Sequence, residues 1–513
     1  MRRMARLFSS LATLTAILWC ALWFWGRDAI STQIEGEIDR LRAGGLGISV
    51  GERSIAGFPF AYAARFENLT FTDRATGLRT ELPEITSMVA IADPGTLVTE
   101  LPAEMTVTVA VPPGLRDRYP GLGAELALAI TSEGLAVETD LAGDGAGGPG
   151  ARSSIRAVRL EIAPAVALEG LDFALRIEGL AGSLGRAAAD GGDGPGAAEL
   201  TARHMALHMV ETPPGAAAET LTADLALADV TLKGAARRAD PAALGALFAG
   251  LRPGEAALEL VAGAVTGALE MASPPVAAAG ARAADGRITL DAGRFAGRLT
   301  VQGPDISTEL ETEALSLALA PAMADDPRRG EIRASRLRIA SDAPQQAGTG
   351  PRPVRVLVEA EGLEPAPALW NRIDPEAVLP REPGRIAVEI DGTGRLLRPH
   401  ETVRPGEATP LEIGNLSVRR FDVAALGAHA AAEGDIEFLQ PIYEPRGAVT
   451  LRLSGALGLI RRLHGAGLLD ESEVQWLATM AALYTRGGAG PDELVTEMVF
   501  DAEGTRINDS RID

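Results

Sequence analysis

Period-two alternation of apolar and polar residues restricts this chain more than any other feature, because it recurs in short runs from about residue 47 almost to the end. In "VRVLVEA" (354–360), Val354, Val356, Val358 and Ala360 share one face. "RIAVEID" (385–391) sets Ile386, Val388 and Ile390 against Ala387, Glu389 and Asp391; "VTLRLS" (449–454) sets Val449, Leu451 and Leu453 against Thr450, Arg452 and Ser454. "TVTVAV" (106–111) and "ELALAI" (125–130) alternate likewise. Successive side chains of a strand point to opposite faces, so each run is a half-buried strand of an antiparallel sheet. The strand-helix-strand rhythm of a parallel α/β sheet is missing. The 58 glycines and 33 prolines favour many turns over a few long helices. The fold class that follows is mainly β, an extended, twisted antiparallel sheet, groove- or sandwich-like, with a few short helices behind one N-terminal transmembrane helix.

That last helix is expected from "LFSSLATLTAILWCALWFWG", an uncharged run from Leu7 to Gly26 preceded by Arg2, Arg3 and Arg6. Twenty residues at 1.5 Å rise reach about 30 Å, the thickness of a hydrocarbon core. Trp23, Phe24 and Trp25 suit the far interface, and the cations before the run place the N-terminus in the cytoplasm. A cleaved signal peptide would need small residues where the bulky Trp23 and Trp25 stand. The next stretch puts Ile30, Ile34, Ile38 and Leu41 at helical spacing until Gly44 and Gly45 stop it. The expected organisation is a transmembrane anchor (1–26), a stalk helix (27–46), a β-rich periplasmic body (47–397) with a helical insert (240–251), a linker (398–410), and C-terminal strands (411–513) with a helical pair (456–484). Asp470 and Glu473 have the spacing of a capping box in that pair. Beyond Cys20 the chain has no cysteine, and an acidic, cysteine-free body behind one anchor suits a bacterial periplasm.

Residues for chemistry are scarce. "GDGAGG" (143–148) satisfies a dinucleotide-loop pattern, but Pro149 and Gly150 follow where a helix should open. Lys233, the only lysine, lies outside any phosphate-binding or Ser-x-x-Lys motif. His204 and His208 sit in a strand pattern that holds them about 13 Å apart, too far to share a metal. His400, His429 and His464 are scattered. No catalytic constellation, metal set or cofactor is expected, and the reading is non-enzymatic. A net charge of −21 repels phosphate backbones, so nucleic acid is not an expected partner.

Aromatics are 4% of the chain, yet Phe58, Phe60, Tyr62, Phe66 and Phe71 fall within fourteen residues around "SIAGFPFAYAARF" (54–66). In strand geometry Phe58, Phe60, Tyr62, Ala64 and Phe66 share a face, with Pro59 marking a strand that starts at an edge. The apolar phase then slips by one to Leu69 and Phe71, predicting a bulge near Glu67–Asn68. Such a ridge is either a groove mouth for acyl chains, with Phe58, Phe60, Tyr62 and Phe66 as its residues, or a plug closing the end of the sheet, the favoured alternative.

The anchor followed by "GISVGERSIAGFPFAYAARFENLTFTD" (47–73), above all its Gly-Phe-Pro-Phe element, resembles the domain-of-unknown-function 2125 family of bacterial envelope proteins. The segments 411–438 and 445–455 resemble it too, and the chain is more distantly similar to AsmA-like proteins. The family supplies no catalytic residues. The AsmA-like resemblance implies an anchored periplasmic protein whose apolar-lined β groove takes part in moving phospholipid. The expected partners are the inner membrane through residues 7–26, and phospholipid or an envelope protein. The alternative is a non-catalytic structural protein that docks an envelope partner.

Overall fold

The structure is a computed structural model of the chain. It describes residues 2–43, 45–73, 77–111, 116, 122–141, 153–186, 196–212, 220–236, 255–272, 286–321, 329–344, 347–348, 350–398, 411–439, 444–490, 492–508 and 510–512, without the side chains of 2–17, 37, 184, 186, 196, 236 and 255. The Gly-rich run 143–148, the helical insert 240–251, most of the linker 398–410 and His400 lie outside the described residues. Two compact units are present, residues 1–210 with 231–252 and residues 211–230 with 253–513.

The first unit begins with α1 (Arg2–Ala43). β1 (Leu46–Ser49) and β2 (Glu52–Ala56) lie end to end along one edge of β3 (Ala61–Asp73), whose other edge carries β4 (Arg79–Ala90). β4 carries β5 (Asp93–Glu100) and β6 (Glu104–Ala110), again end to end. β7 (Glu125–Glu133) extends the ladder from β6 and β8 (Ala136–Asp140) from β5. Both then pair with the single strand β9 (Ser153–Pro164), which pairs with β10 (Leu171–Arg186) and is followed by β11 (Gly196–Glu211).

The second unit repeats the scheme. Residues 220–228 of β12 (Thr220–Ala236) pair with β14 (Ala264–Ala272), which continues β13 (Glu255–Ala262). β15 (Gly286–Ala292) pairs with β14, and β16 (Phe295–Gln302) with β13; both lie along the long β17 (Asp305–Pro321). From β17 each strand pairs with the next through β18 (Gly330–Pro344), β19 (Arg352–Pro365), β20 (Gly384–Leu396), β21 (Leu411–Ala425), β22 (Ala428–Leu439) and β23 (Glu444–Ser454). β23 pairs with β25 (Glu493–Asp501), which also holds β24 (Arg486–Gly487) and β26 (Gly504–Ile507); β27 (Ser510–Arg511) pairs with β26. The helices are α2 (Pro367–Ile373), α3 (Ala456–Gly465) and α4 (Glu471–Tyr484). The protein is mainly β, its ladders are antiparallel, and its helices are few. The capping box at α4 is formed, with Asp470 accepting from the Glu473 amide and Glu473 from the Asp470 amide, each at 2.8 Å.

A line of backbone interruptions crosses each unit at right angles to its strands. In the first unit, Asn68 (φ 52°) and Pro83 drop out of the β3–β4 ladder while the register on either side is unchanged. Gly51 lies opposite Asn68, and Val158 and Gly179 (φ 63°) drop out of the β9–β10 ladder. In the second unit the line runs through Asp229 (φ 49°), Gly263, Gly293, Ala314 (φ 52°), Ser335 and Gly362 (φ 63°). A left-handed residue turns the strand, as a bulge would, and shifts the inward phase by one position. Apolar residues shift with it: Tyr62, Ala64 and Phe66 give way to Leu69 and Phe71, Leu310 gives way to Leu315 and Leu317, and Ile339 and Leu337 give way to Ala334 and Ile332. Each long strand therefore keeps one apolar face while it bends.

Buried residues flank the line in both units. The core of the first unit, Ile48, Leu69, Leu82, Met105, Leu135 and Ala157, flanks it. In the second unit the well-buried Ala262, Val265, Thr312, Ala334 and Ala360 do so too. These are small residues, as the inside of a bend requires.

Three expectations need correction. The slip near Asn68 is made by a left-handed residue facing a dropped partner, without an inserted residue. β3 is not an edge strand; it starts at Ala61, after Pro59. The expected stalk does continue the N-terminal helix, as α1, but among the described residues no helix is long and apolar enough to cross a membrane, while the first part of the apolar run 7–26 lies among the undescribed side chains.

Asn68 offers a direct test of the line. A β-branched side chain fits the left-handed region poorly, so Asn68→Val is expected to cost about 1–2 kcal/mol. Asn68→Gly should leave the midpoint of urea unfolding close to that of the parent.

Candidate functional site

The clustered aromatics of residues 58–66 meet α1. Gly57 (φ 101°) opens a turn in which the Phe60 and Ala61 amides both donate to the Gly57 carbonyl, at 3.1 and 2.9 Å. A Cβ at Gly57 would lie 2.7 Å from the Ala61 carbonyl oxygen, so the turn needs glycine. Phe58 and Phe60 therefore stand on a turn, and only Tyr62 and Phe66 lie on the strand.

Trp23 of α1 is the hub. It is 5% exposed, lies nearly parallel to the Tyr62 ring (14°, centroids 5.5 Å apart) and meets Phe58 edge-on at 5.4 Å. Phe24 stacks on Phe58 at 6.5 Å. The Trp23 indole N–H donates to the Ala61 carbonyl (3.0 Å), and the Trp19 indole N–H to that of Pro59 (3.1 Å). Gly26 leaves room for the Tyr62 hydroxyl, which a Cβ there would strike. Further along α1, Arg53 of β2 pairs with Glu35 at 2.6 Å and bonds the Ser31 hydroxyl. Phe66 is half-buried against the core, whereas Phe60 is 76% exposed. The four expected residues thus divide: Phe66 packs in the core, Phe58 and Tyr62 bind α1, and Phe60 projects. Trp23, read from the sequence only as an interface aromatic, and Trp19, not singled out there, are their partners.

The second surface is the apolar face of the second unit. Across the ladders a single row runs Leu310, Ile339, Val358, Val388, Phe421, Ala432 and Leu451, spanning seven strands and roughly 30 Å at the usual strand spacing. The parallel row through Val356, Ile390, Val418 and Val449 lies beside it. Large side chains here remain open to solvent: Ile332 is 50% exposed, and Leu225, Leu310, Leu317, Ile339 and Val356 are exposed as well. All six share the same face. α2 touches only its margin, where Leu369 lies over Gly330.

The opposite face is charged. Glu309 pairs with Arg338 and Glu311 with Arg336, both at 2.7 Å; Glu359 is shared by Arg338 and Arg420; Arg355 bridges Glu389 and Asp391. Exposed pairs of this kind each contribute little to stability, but together they mark the face that meets water.

The family model described as "Uncharacterized protein conserved in bacteria (DUF2125)" matches residues 23–317 and 269–505. The chain belongs to that family. No curated protein and no solved structure matches it. This DUF2125 member also contains a hollow of about 350 Å³ in its first unit, where β4 and β6 diverge beside Pro83, rimmed by Glu81 and Glu104 and floored by Leu82 and Met105. Among the described residues no three His, Cys, Asp or Glu side chains gather as a metal set. His204 and His208 lie on one strand, β11, as their spacing predicts. His464 faces the Leu469 carbonyl at the end of α3.

His429 bonds Asp422 through Nε2 at 3.0 Å. That bond holds the Asp422 carboxyl below the usual carboxylate range; partial burial opposes it, and Arg385 adds to the lowering. A depressed carboxylate pKa contributes stability that is present above the unfolded value of about 3.9 and is lost as pH falls through the folded one. Urea midpoints of the DUF2125 protein should therefore fall below about pH 4, and Asp422→Asn should flatten part of that fall. At the helix junction, Trp23→Ala should speed hydrogen exchange at the Phe60 and Ala61 amides, whereas Trp25→Ala, at a 72% exposed position, should leave it unchanged.

Proposed function

We propose that this DUF2125 protein is an inner-membrane-anchored, periplasmic β protein of the bacterial envelope that binds lipid, or helps to move it, along the apolar face of its second unit. The observation that carries this reading is the one-sidedness of that sheet: six exposed large hydrophobic residues share one face, and a lattice of ion pairs occupies the other. Large apolar side chains left open on β12 and on the adjacent β17, β18 and β19 form the kind of exposed patch that marks an interaction surface. Each Å² of it that an acyl chain covers contributes about 25 cal/mol. A lipid lying across the strands keeps its head group in water and needs no motif on the protein, which accords with the scarcity of chemical motifs. The reading requires no catalysis and no cofactor. For the location, support comes from the uncharged run 7–26 behind Arg2, Arg3 and Arg6, and from a cysteine-free body with net charge −21, which also disfavours nucleic acid.

A second reading, docking of an envelope protein, draws on α4, where Trp476 and Leu483 are 60% and 61% exposed one above the other along the helix.

Photo-crosslinking in cells separates the two. A benzophenone amino acid at Ile339 or Val356 should couple to phospholipid, and one at Arg336 on the charged face should not. Adding Leu310→Glu to the Val356 probe should abolish the lipid adduct while the urea midpoint stays unchanged, since Leu310 is already 44% exposed. Protein adducts alone at Ile339 and Val356 would replace lipid with a docked partner.

A further inference from the structure

The turn that carries Phe58 and Phe60 is built for a place out of water. We propose that it is itself a membrane-seated element, immersed beside α1 in the leaflet from which that helix emerges, so that the first unit rests on the bilayer surface. This rests on the reading of α1 as the membrane anchor.

Three observations carry it. The first is level. The Pro59 carbonyl is bonded by Trp19, eight residues before Arg27, the first charged residue after the apolar run. At 1.5 Å per residue the tip lies about 12 Å along the helix from that charge, inside the uncharged run.

The second is the pairing of four of the five carbonyls between Gly57 and Ala61, all but that of Phe58. Gly57 O accepts from the Phe60 and Ala61 amides, Phe60 O accepts from the Ile91 amide at 2.9 Å, and Pro59 O and Ala61 O accept from the two indoles. Pro59 has no N–H. Backbone groups placed in hydrocarbon must be paired within the protein, because no water is there to meet them.

The third is the surface itself. Residues 54–64 carry no charge. Phe60 is 76% exposed and Phe58 49%, next to the exposed Leu18, Leu22, Phe24 and Trp25 of α1. Aromatic rings on a short rigid turn suit the interfacial layer, where Trp and Tyr gather in membrane proteins. Along α1, the ion pair of Glu35 with Arg53 of β2 lies on the far side of Arg27, while in the sheet Asp93 stands opposite Ala90, the partner of Ala61, at the margin of this uncharged surface.

The test uses the full chain in a Cys20→Ala background, reconstituted into vesicles of phosphatidylethanolamine and phosphatidylglycerol. A nitroxide is attached at Phe60→Cys, at Leu18→Cys on α1, or at Glu133→Cys, an exposed position on β7. Collision with oxygen, which concentrates in lipid, is compared with collision with a water-soluble nickel chelate. The Phe60 and Leu18 labels should favour oxygen several-fold over the Glu133 label. A Leu18 label in lipid with a Phe60 label as open to nickel as Glu133 overturns the inference and leaves the anchor standing. All three labels open to nickel overturn both. A Phe60 label shielded from both reagents places the turn against protein, a second copy or a partner, and likewise overturns the inference. Should Phe60→Cys disturb folding, Phe58→Cys carries the label to the same turn.

Discussion

The structure depends on keeping one face of a strand apolar while the strand bends. A straight strand of 17 residues such as β17 alternates strictly, and any bend that simply rotated the chain would turn its apolar residues outward. A single left-handed residue solves this, because it bends the chain and moves the side-chain phase by one position at the same place. Asn68 and Ala314 do so directly, while Gly51, Gly263, Gly293 and Gly362 let the neighbouring strands follow. Well-buried residues flank these lines, where opposite arms of one face approach on the inside of the bend.

Away from the lines, the two units use the same pattern differently. In the first, large side chains such as Leu69, Leu82 and Met105 close into a core, with Ile38 of α1 packed against it. In the second, the best-buried positions on the line are mostly alanine and valine, and the larger Leu310, Ile332 and Ile339 stay open. The same alternation gives a sealed core in one case and an uncovered face in the other. Packing neighbours, and not the alternation, make the difference.

α1 is part of the folded body as well as its N-terminal extension. Trp23 under Tyr62 and Phe58, Ile38 in the core and the Arg53–Glu35 pair fasten it at three levels. A body beginning near residue 47 would lose all three.

The sequence by itself determined strand class, antiparallel pairing between neighbours, the helical pair with its Asp470 cap, and the absence of familiar catalytic motifs. Each depends on residues a few positions apart, where periodicity and capping chemistry act. The phase slip at Asn68 was legible for the same reason, and equal slips at Ala314 and Ser335 could have been read by the same rule. What only the tertiary structure decided was contact across long separations: that Phe58 and Tyr62 close on Trp23, 35 and 39 residues earlier in the chain, that Phe66 joins a core while Phe60 is left outside, and that the left-handed positions of separate strands fall into line. Exposure of the second unit's apolar face belongs to this second group. Alternation states which residues share a side, and only the arrangement of all the other elements determines whether that side is covered.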